Sequence, residues 1–141
     1  NLYHRDQNGY SLLHWAAHSG NADLVALLIG HGLTPQLAST RGVTPLMQAA
    51  VGGHLQAMQH LVSQGGISTL HARSWDGWSA LHHAVANRQV AAALWLAEQG
   101  ADPHYPHHHG VSACQLALDA NQLGLYQQLS QIAQRQVEVQ E

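Results

Sequence analysis

The sequence has no lysine, no phenylalanine and one cysteine, and only 9 % of its 141 residues are charged. Soluble domains usually carry about a quarter charged residues; here glutamine and histidine are abundant instead. Nothing in the chain explains why all five basic residues are arginine. With the histidines neutral the net charge is −3, which argues against a nucleic-acid footprint. No apolar run approaches the ~20 residues that a membrane-spanning helix needs. The lone Cys114 excludes an intrachain disulfide. Catalytic signatures are also missing: there is no glycine-rich phosphate loop, no Gly-x-Ser-x-Gly elbow and no His-Glu-x-x-His pair. The few carboxylates are scattered. These absences predict a chain that is not an enzyme and carries no cofactor.

What the chain does have is a repeated unit. In Gly42-Val43-Thr44-Pro45-Leu46-Met47-Gln48-Ala49-Ala50, Thr44 is placed to N-cap a helix and Pro45 fits its first position. Leu46, Ala49 and Ala50 then form one apolar face, small enough for a second helix to pack close. Ser11-Leu12-Leu13-His14 lies 33 residues earlier; Ser79-Ala80-Leu81-His82 lies 35 later, and Ser112-Ala113-Cys114-Gln115 a further 33 on. A glycine stands two residues before each hydroxyl cap: Gly9, Gly42, Gly77 and Gly110. Gly32, Gly65 and Gly100 close the second helix of three units, where a left-handed residue is favoured. Such a period implies stacked helix pairs that bury their faces on one another. Cys114 occupies the leucine position of the unit, so it reads as a buried thiol.

The units resemble the ankyrin repeat, whose motif is T-P-L-H-x-A-A followed by G-H. The resemblance covers about residues 6 to 136. It implies an all-α solenoid of stacked helix-turn-helix units with β-hairpin-like fingers. One domain, 1–141, would hold repeats at about 6–38, 39–72, 73–107 and 108–136, leaving 137–141 as a frayed tail. It further implies a protein-binding scaffold whose partner lies on the concave surface of inner helices and fingers. Carried over by position, the binding residues are Tyr10, Trp15, His18, Arg41, Gln48, Arg73, Trp75, Asp76, Trp78, His83, Asn87, His109 and Asp119. His14 and His82 fall at the motif histidine, which in the family bonds to neighbouring loop backbone, and His54 matches the turn histidine.

Along the chain, an inner helix is expected at Leu12 to Ser19 and an outer helix at Ala22 to Gly30, with Leu24, Val25, Leu27 and Leu28 facing inward. Leu55, Met58, Leu61 and Val62 take that role in the second unit, and Val90, Ala93, Leu94, Trp95 and Leu96 in the third. The middle finger, Gly66 to Asp76, reads as two residues longer than its neighbours and so as pushing Trp75 toward a partner. Arg88 replaces the glycine found at Gly20 and Gly53, which suggests a different turn there. The last outer helix, with Leu123, Leu125, Tyr126, Leu129 and Ile132 among glutamines, has the polar outer face of a terminal cap.

Thirteen histidines, above all the run His104 to His109, raise a second reading as a metal- or pH-responsive module. Adjacent residues on a turn diverge, however, and no Cys, Asp or Glu completes a tetrahedral set nearby; no metal is assigned. A third reading is a targeting fragment of a larger protein. The chain begins at Asn1 without methionine or a signal-peptide pattern, as a processed or excised product would, so further repeats ahead of it stay open. The favoured expectation is a monomer that binds a protein, with no nucleic acid and no membrane, the compartment open and the cytoplasm slightly favoured.

Overall fold

In a computed structural model that describes residues 5–36, 38–101, 103 and 110–140, four helix pairs follow one another. The helices are α1 (Leu12–Ser19), α2 (Ala22–Gly30), α3 (Pro45–Gly52), α4 (Leu55–His71), α5 (Ala80–Ala86), α6 (Val90–Glu98), α7 (Ala113–Asp119) and α8 (Leu123–Gln140). Among the described residues there is no strand. The odd-numbered helices pack in sequence into an inner layer and the even-numbered ones into an outer layer. The α4–α6 contact is the slightest of the outer ones.

Each inner helix starts for the same local reason. Ser11, Thr44, Ser79 and Ser112 sit in extended backbone and accept the N–H of the residue three on. Gly9, Gly42, Gly77 and Gly110 precede them at φ between 79° and 82°, a conformation that penalises a side chain. The turn they close is tight: Gly42 N–H donates to Ser39 O and Ser39 N–H to Val43 O, and Gly77, Ser74 and Trp78 repeat the pattern. Neighbouring turns are linked edge to edge, Thr40 N–H donating to Asn8 O (3.0 Å) and Trp75 N–H to Arg41 O (2.9 Å). In place of β-hairpins, the described fingers are these stacked turns.

Small residues let the layers close. Ala16, Ala49, Ala84 and Ala117 recur at one position and are all buried. At the leucine position Leu13, Leu46, Leu81 and Cys114 are 0–3 % exposed, so the thiol is a core group. Val25, Leu28, Met58, Leu61, Ala93, Leu96, Leu125, Leu129 and Ile132 fill the space between layers.

Several expectations need correction. Leu27 (57 % exposed) and Val90 (41 %) do not face inward. Periodicity marked an apolar stripe wider than the neighbouring helices cover. Helix α4 does not stop at Gly65; it runs through both glycines to His71. Two glycines in a helix interior cost about 1 kcal/mol each against alanine, but the extra turns bury Thr69 and Leu70 to 1–2 % exposure. A Cβ on Gly65 would collide with the Thr69 hydroxyl and touch Pro35, so glycine is what lets the extension seat. The two additional residues of this unit are thus absorbed by helix, and no longer middle finger forms. Trp75 stays in register with the turn before it. The turn at Arg88 is not different either: Arg88 takes φ 61°, the left-handed conformation that Gly53 adopts at φ 70°. Finally, α8 continues to Gln140, across the stretch whose composition suggested fraying.

Candidate functional site

Two buried imidazoles fix the geometry of the inner layer. His14 Nε2 donates to Val43 O (2.8 Å) in the next unit, while Nδ1 accepts the Ser11 N–H (3.1 Å). Both nitrogens are used by the neutral ring with its proton on Nε2. His82 repeats this with Val111 O (3.2 Å) and Ser79 N–H (3.3 Å). Burial lowers the His14 pKa, against the pull of its bond to Val43 O. His54 Nε2 lies 3.0 Å from His18 O and joins the second unit's turn to the first inner helix.

On this frame, side chains that point away from the stacking surfaces gather in two groups. Tyr10 projects from the first turn and Trp15 from α1, their rings edge to face at 6.2 Å. With His14, His18 and Gln48 they line a cleft of about 220 Å³. Trp15 stays 55 % exposed, so most of its indole is free to be covered. Asp6 holds the turn that aims Tyr10 by accepting the N–H groups of Asn8 and Tyr10.

The second group lies two units on. Trp78 packs against His83 with ring centroids 5.1 Å apart, and Asn87 Nδ2 donates to His83 O. His83 Nε2 is buried and has no hydrogen-bond partner among the described residues. Burial pushes its pKa down to about 4, and nearby Asp76 offsets only part of that. Trp75, on the tip of the same turn, is 71 % exposed.

A sequence profile of ankyrin repeats, in three copies, matches residues 13–107. The chain belongs to the ankyrin repeat family. Ankyrin repeats are in general protein-interaction modules. The chain is 32 % identical over 113 residues to a putative palmitoyltransferase ZDHHC13 of Danio rerio, covering 79 % of this chain and 17 % of that protein. It is 28 % identical over 120 residues to the potassium channel AKT2/3 of Arabidopsis thaliana, at 85 % and 14 % coverage. A third relative is a transient receptor potential cation channel subfamily A member 1 homolog of Caenorhabditis elegans, 30 % identical over 129 residues, at 92 % and 10 % coverage. The chain thus spans less than a fifth of the length of these relatives.

Against the ankyrin pattern, the structure brings together Tyr10, Trp15, His18 and Gln48, and separately Trp78, His83 and Asn87. The others are dispersed. Arg41 is exposed and contributes its carbonyl to the turn-to-turn link. Arg73 turns inward, its Nη1 donating to Gly77 O (2.8 Å), so it braces its own turn. Asp76 is exposed beside Trp75. Asp119 accepts from Gln115 Nε2 (3.0 Å) at the end of α7. His109 lies outside the described residues, as does the whole run His104 to His109. Sequence reasoning assigned His14 a structural role alone and missed that its ring also lines the cleft. The signal was there in its spacing: Tyr10 lies four residues before it, and the rings stand 5.3 Å apart. No helix of the described residues is long and apolar enough to cross a membrane.

Proposed function

We propose that this ankyrin-repeat domain is a non-catalytic scaffold that holds a protein partner along its inner-helix and turn surface. The observation that carries this reading is the pair of aromatic groups on one side of the stack, Tyr10 with Trp15 and Trp78 with His83. Between them lie the smaller Val43 and Gln48. A segment of partner chain laid across the turns meets an aromatic wall at each end and a shallow middle. Exposed tryptophan is enriched among the residues that dominate interface energies, where truncation costs about 2 kcal/mol or more. The stacked turn tips take the part of the family's fingers, with Trp75 as an outer contact. The partner we infer is a protein, engaged by one copy of the domain. The surface has few charges, as in an interface core.

The cleft on Tyr10 and Trp15 has room for one large apolar side chain, which makes the first two units as important as the third. Selection of binding peptides from a displayed random library, with the purified domain as bait, tests this. Selected peptides should lose at least tenfold in affinity to Trp15→Ala and to Trp75→Ala, and keep it with Gln59→Ala on the outer layer. Peptides that respond only to Gln59→Ala, Gln56→Ala or other outer-helix changes would overturn the reading.

A further inference from the structure

Among the described residues, two side-chain atoms are buried without a hydrogen-bond partner, the Thr69 hydroxyl and His83 Nε2. Such groups are rare in folded chains, and each asks for a reason. Thr69 packs its hydroxyl over Gly65 inside α4. His83 differs, because it stands on the inner surface. It takes the place in its unit that Trp15 and Gln48 take in theirs, and Trp78 takes the place of Tyr10 and Val43. The first and third units thus share one arrangement, a ring from the turn set against a ring from the inner helix. In the first, Tyr10 and Trp15 stand edge to face at 6.2 Å and a cleft stays open beside them. In the third, Trp78 and His83 close to 5.1 Å at an interplanar angle of 52°, and the nitrogen is sealed. The polar groups around it are committed elsewhere. Asn87 gives its amide to the backbone carbonyl of His83 (2.8 Å), and the two nitrogens of His82 are held by Ser79 N–H and Val111 O. Asp76 acts on the ring through space yet does not bond to Nε2. Leu116, at the corresponding place in the next unit, has no polar atom in its side chain.

We propose that Trp78 and His83 form a second anchor site, closed in the free domain, in which His83 Nε2 bonds to a side-chain hydroxyl of the partner. This rests on the inner-surface reading above and gives the third unit's pair a polar task, where the first unit's cleft takes an apolar one. A hydroxyl is the group that fits. It donates to a bare nitrogen or accepts from an N–H, whichever nitrogen of the neutral ring holds the proton. A carboxylate can only accept, and the charge of Asp76 opposes it. Entering beside the Trp78 indole, the hydroxyl parts the two rings toward the spacing seen at Tyr10 and Trp15. The partner then supplies a bond that the free domain goes without, so His83 selects for serine, threonine or tyrosine at that point of the bound segment.

The test is a double-mutant cycle between the domain and peptides selected on it from a displayed random library. His83→Phe keeps a ring under Trp78 and removes both nitrogens. Peptides that Trp15→Ala weakens should carry a hydroxyl residue whose replacement (serine to alanine, threonine to valine or tyrosine to phenylalanine) costs at least about fivefold in affinity. That cost should vanish against the His83→Phe domain, the signature of a direct pair. Since one of the two changes lies in the peptide, the coupling is read separately from how well the variant folds. In the nitrogen-labelled wild-type domain, the His83 Nε2 resonance should move when such a peptide binds; an unmoved resonance would overturn the proposal. Peptides weakened by Trp15→Ala in which no hydroxyl couples to His83 would also overturn it, while leaving the inner-surface reading in place. Peptides indifferent to Trp15, Trp75 and His83 alike, or no binding peptide at all, would overturn both.

Discussion

Acid should weaken this domain through His83. Its ring is packed against Trp78, its Nε2 has no partner among the described residues, and its pKa falls from 6.5 to about 4. A histidine whose pKa is lowered by folding contributes stability that is fully present above 6.5. That stability is lost as pH falls, because the unfolded chain takes up the proton first. The full difference amounts to about 3 kcal/mol once pH is below 4, and about 1.4 kcal/mol at pH 5.5. The ring keeps some contact with solvent, which screens part of this, so the working value at pH 5.5 is about 1 kcal/mol. His14 is shifted in the same direction by burial and adds to the loss. Urea unfolding at pH 7.5 and 5.5 reads the effect as a midpoint lower by about 0.5 M at the acid pH. His83→Gln, which copies the residue at Gln48 in the preceding unit, should flatten the pH dependence between 7.5 and 5.5 by that same amount. Parallel pH curves for the two proteins would refute the reasoning, since they would show that His83 is as easily protonated folded as unfolded.

Three other predictions follow from the packing. Leu46→Ala and Leu81→Ala each remove a side chain at most 1 % exposed and should cost about 2–5 kcal/mol in urea unfolding. Leu70→Ala should cost about 2–3 kcal/mol if the α4 extension is part of the core; a change below 0.5 kcal/mol would mean that the extension is not seated. Arg88→Gly should stabilise by about 0.5–1 kcal/mol by removing a side chain from φ 61°, less what is lost with the exposed Arg88 Nη2 to Ala120 O bond. Thermal melting would detect it.

What was legible in the sequence is what is decided locally. A hydroxyl cap two residues after a glycine identifies each inner helix, because both groups satisfy or relax nearby backbone, and all four sites behave this way. The motif histidines were legible through the family resemblance, which implied bonds to neighbouring loop backbone, found at Val43 O and Val111 O; the local Ser11–His14 and Ser79–His82 boxes were not read from the sequence. The end of α4 was not legible. Gly65-Gly66 reads as a stop in any local window, and only the burial of Thr69 and Leu70 against other units overrides it. Arg88 misled similarly: its side chain suggested another turn, but the surrounding stack fixes the backbone and the residue bears the strain. For the candidate site, Tyr10 and Trp15 were each marked as variable surface positions. That they share one cleft with Gln48 depends on the placing of α1 against α3. Whether Leu27 or Val90 is covered is a property of the neighbouring helices, which the periodicity of one helix does not contain.

The junctions between units are unequal. His14 and His82 tie the first unit to the second and the third to the fourth. Met47 stands at that position in the second unit and has no ring nitrogen to offer Trp78 O. At the same junction α4 and α6 barely meet, leaving the α3–α5 contact, the Trp75 N–H link and a Gln89 Nε2 to Val51 O bond (3.3 Å) as ties. The second and third units are therefore joined mainly by side-by-side packing of α3 on α5, where the other two junctions add a buried imidazole bridge. Tyr10 and Trp15 lie on one side of this junction and Trp78 and His83 on the other, so the spacing of the two aromatic groups rests on helix packing. The width of the groove is set at the one junction where a methionine stands in the motif-histidine position.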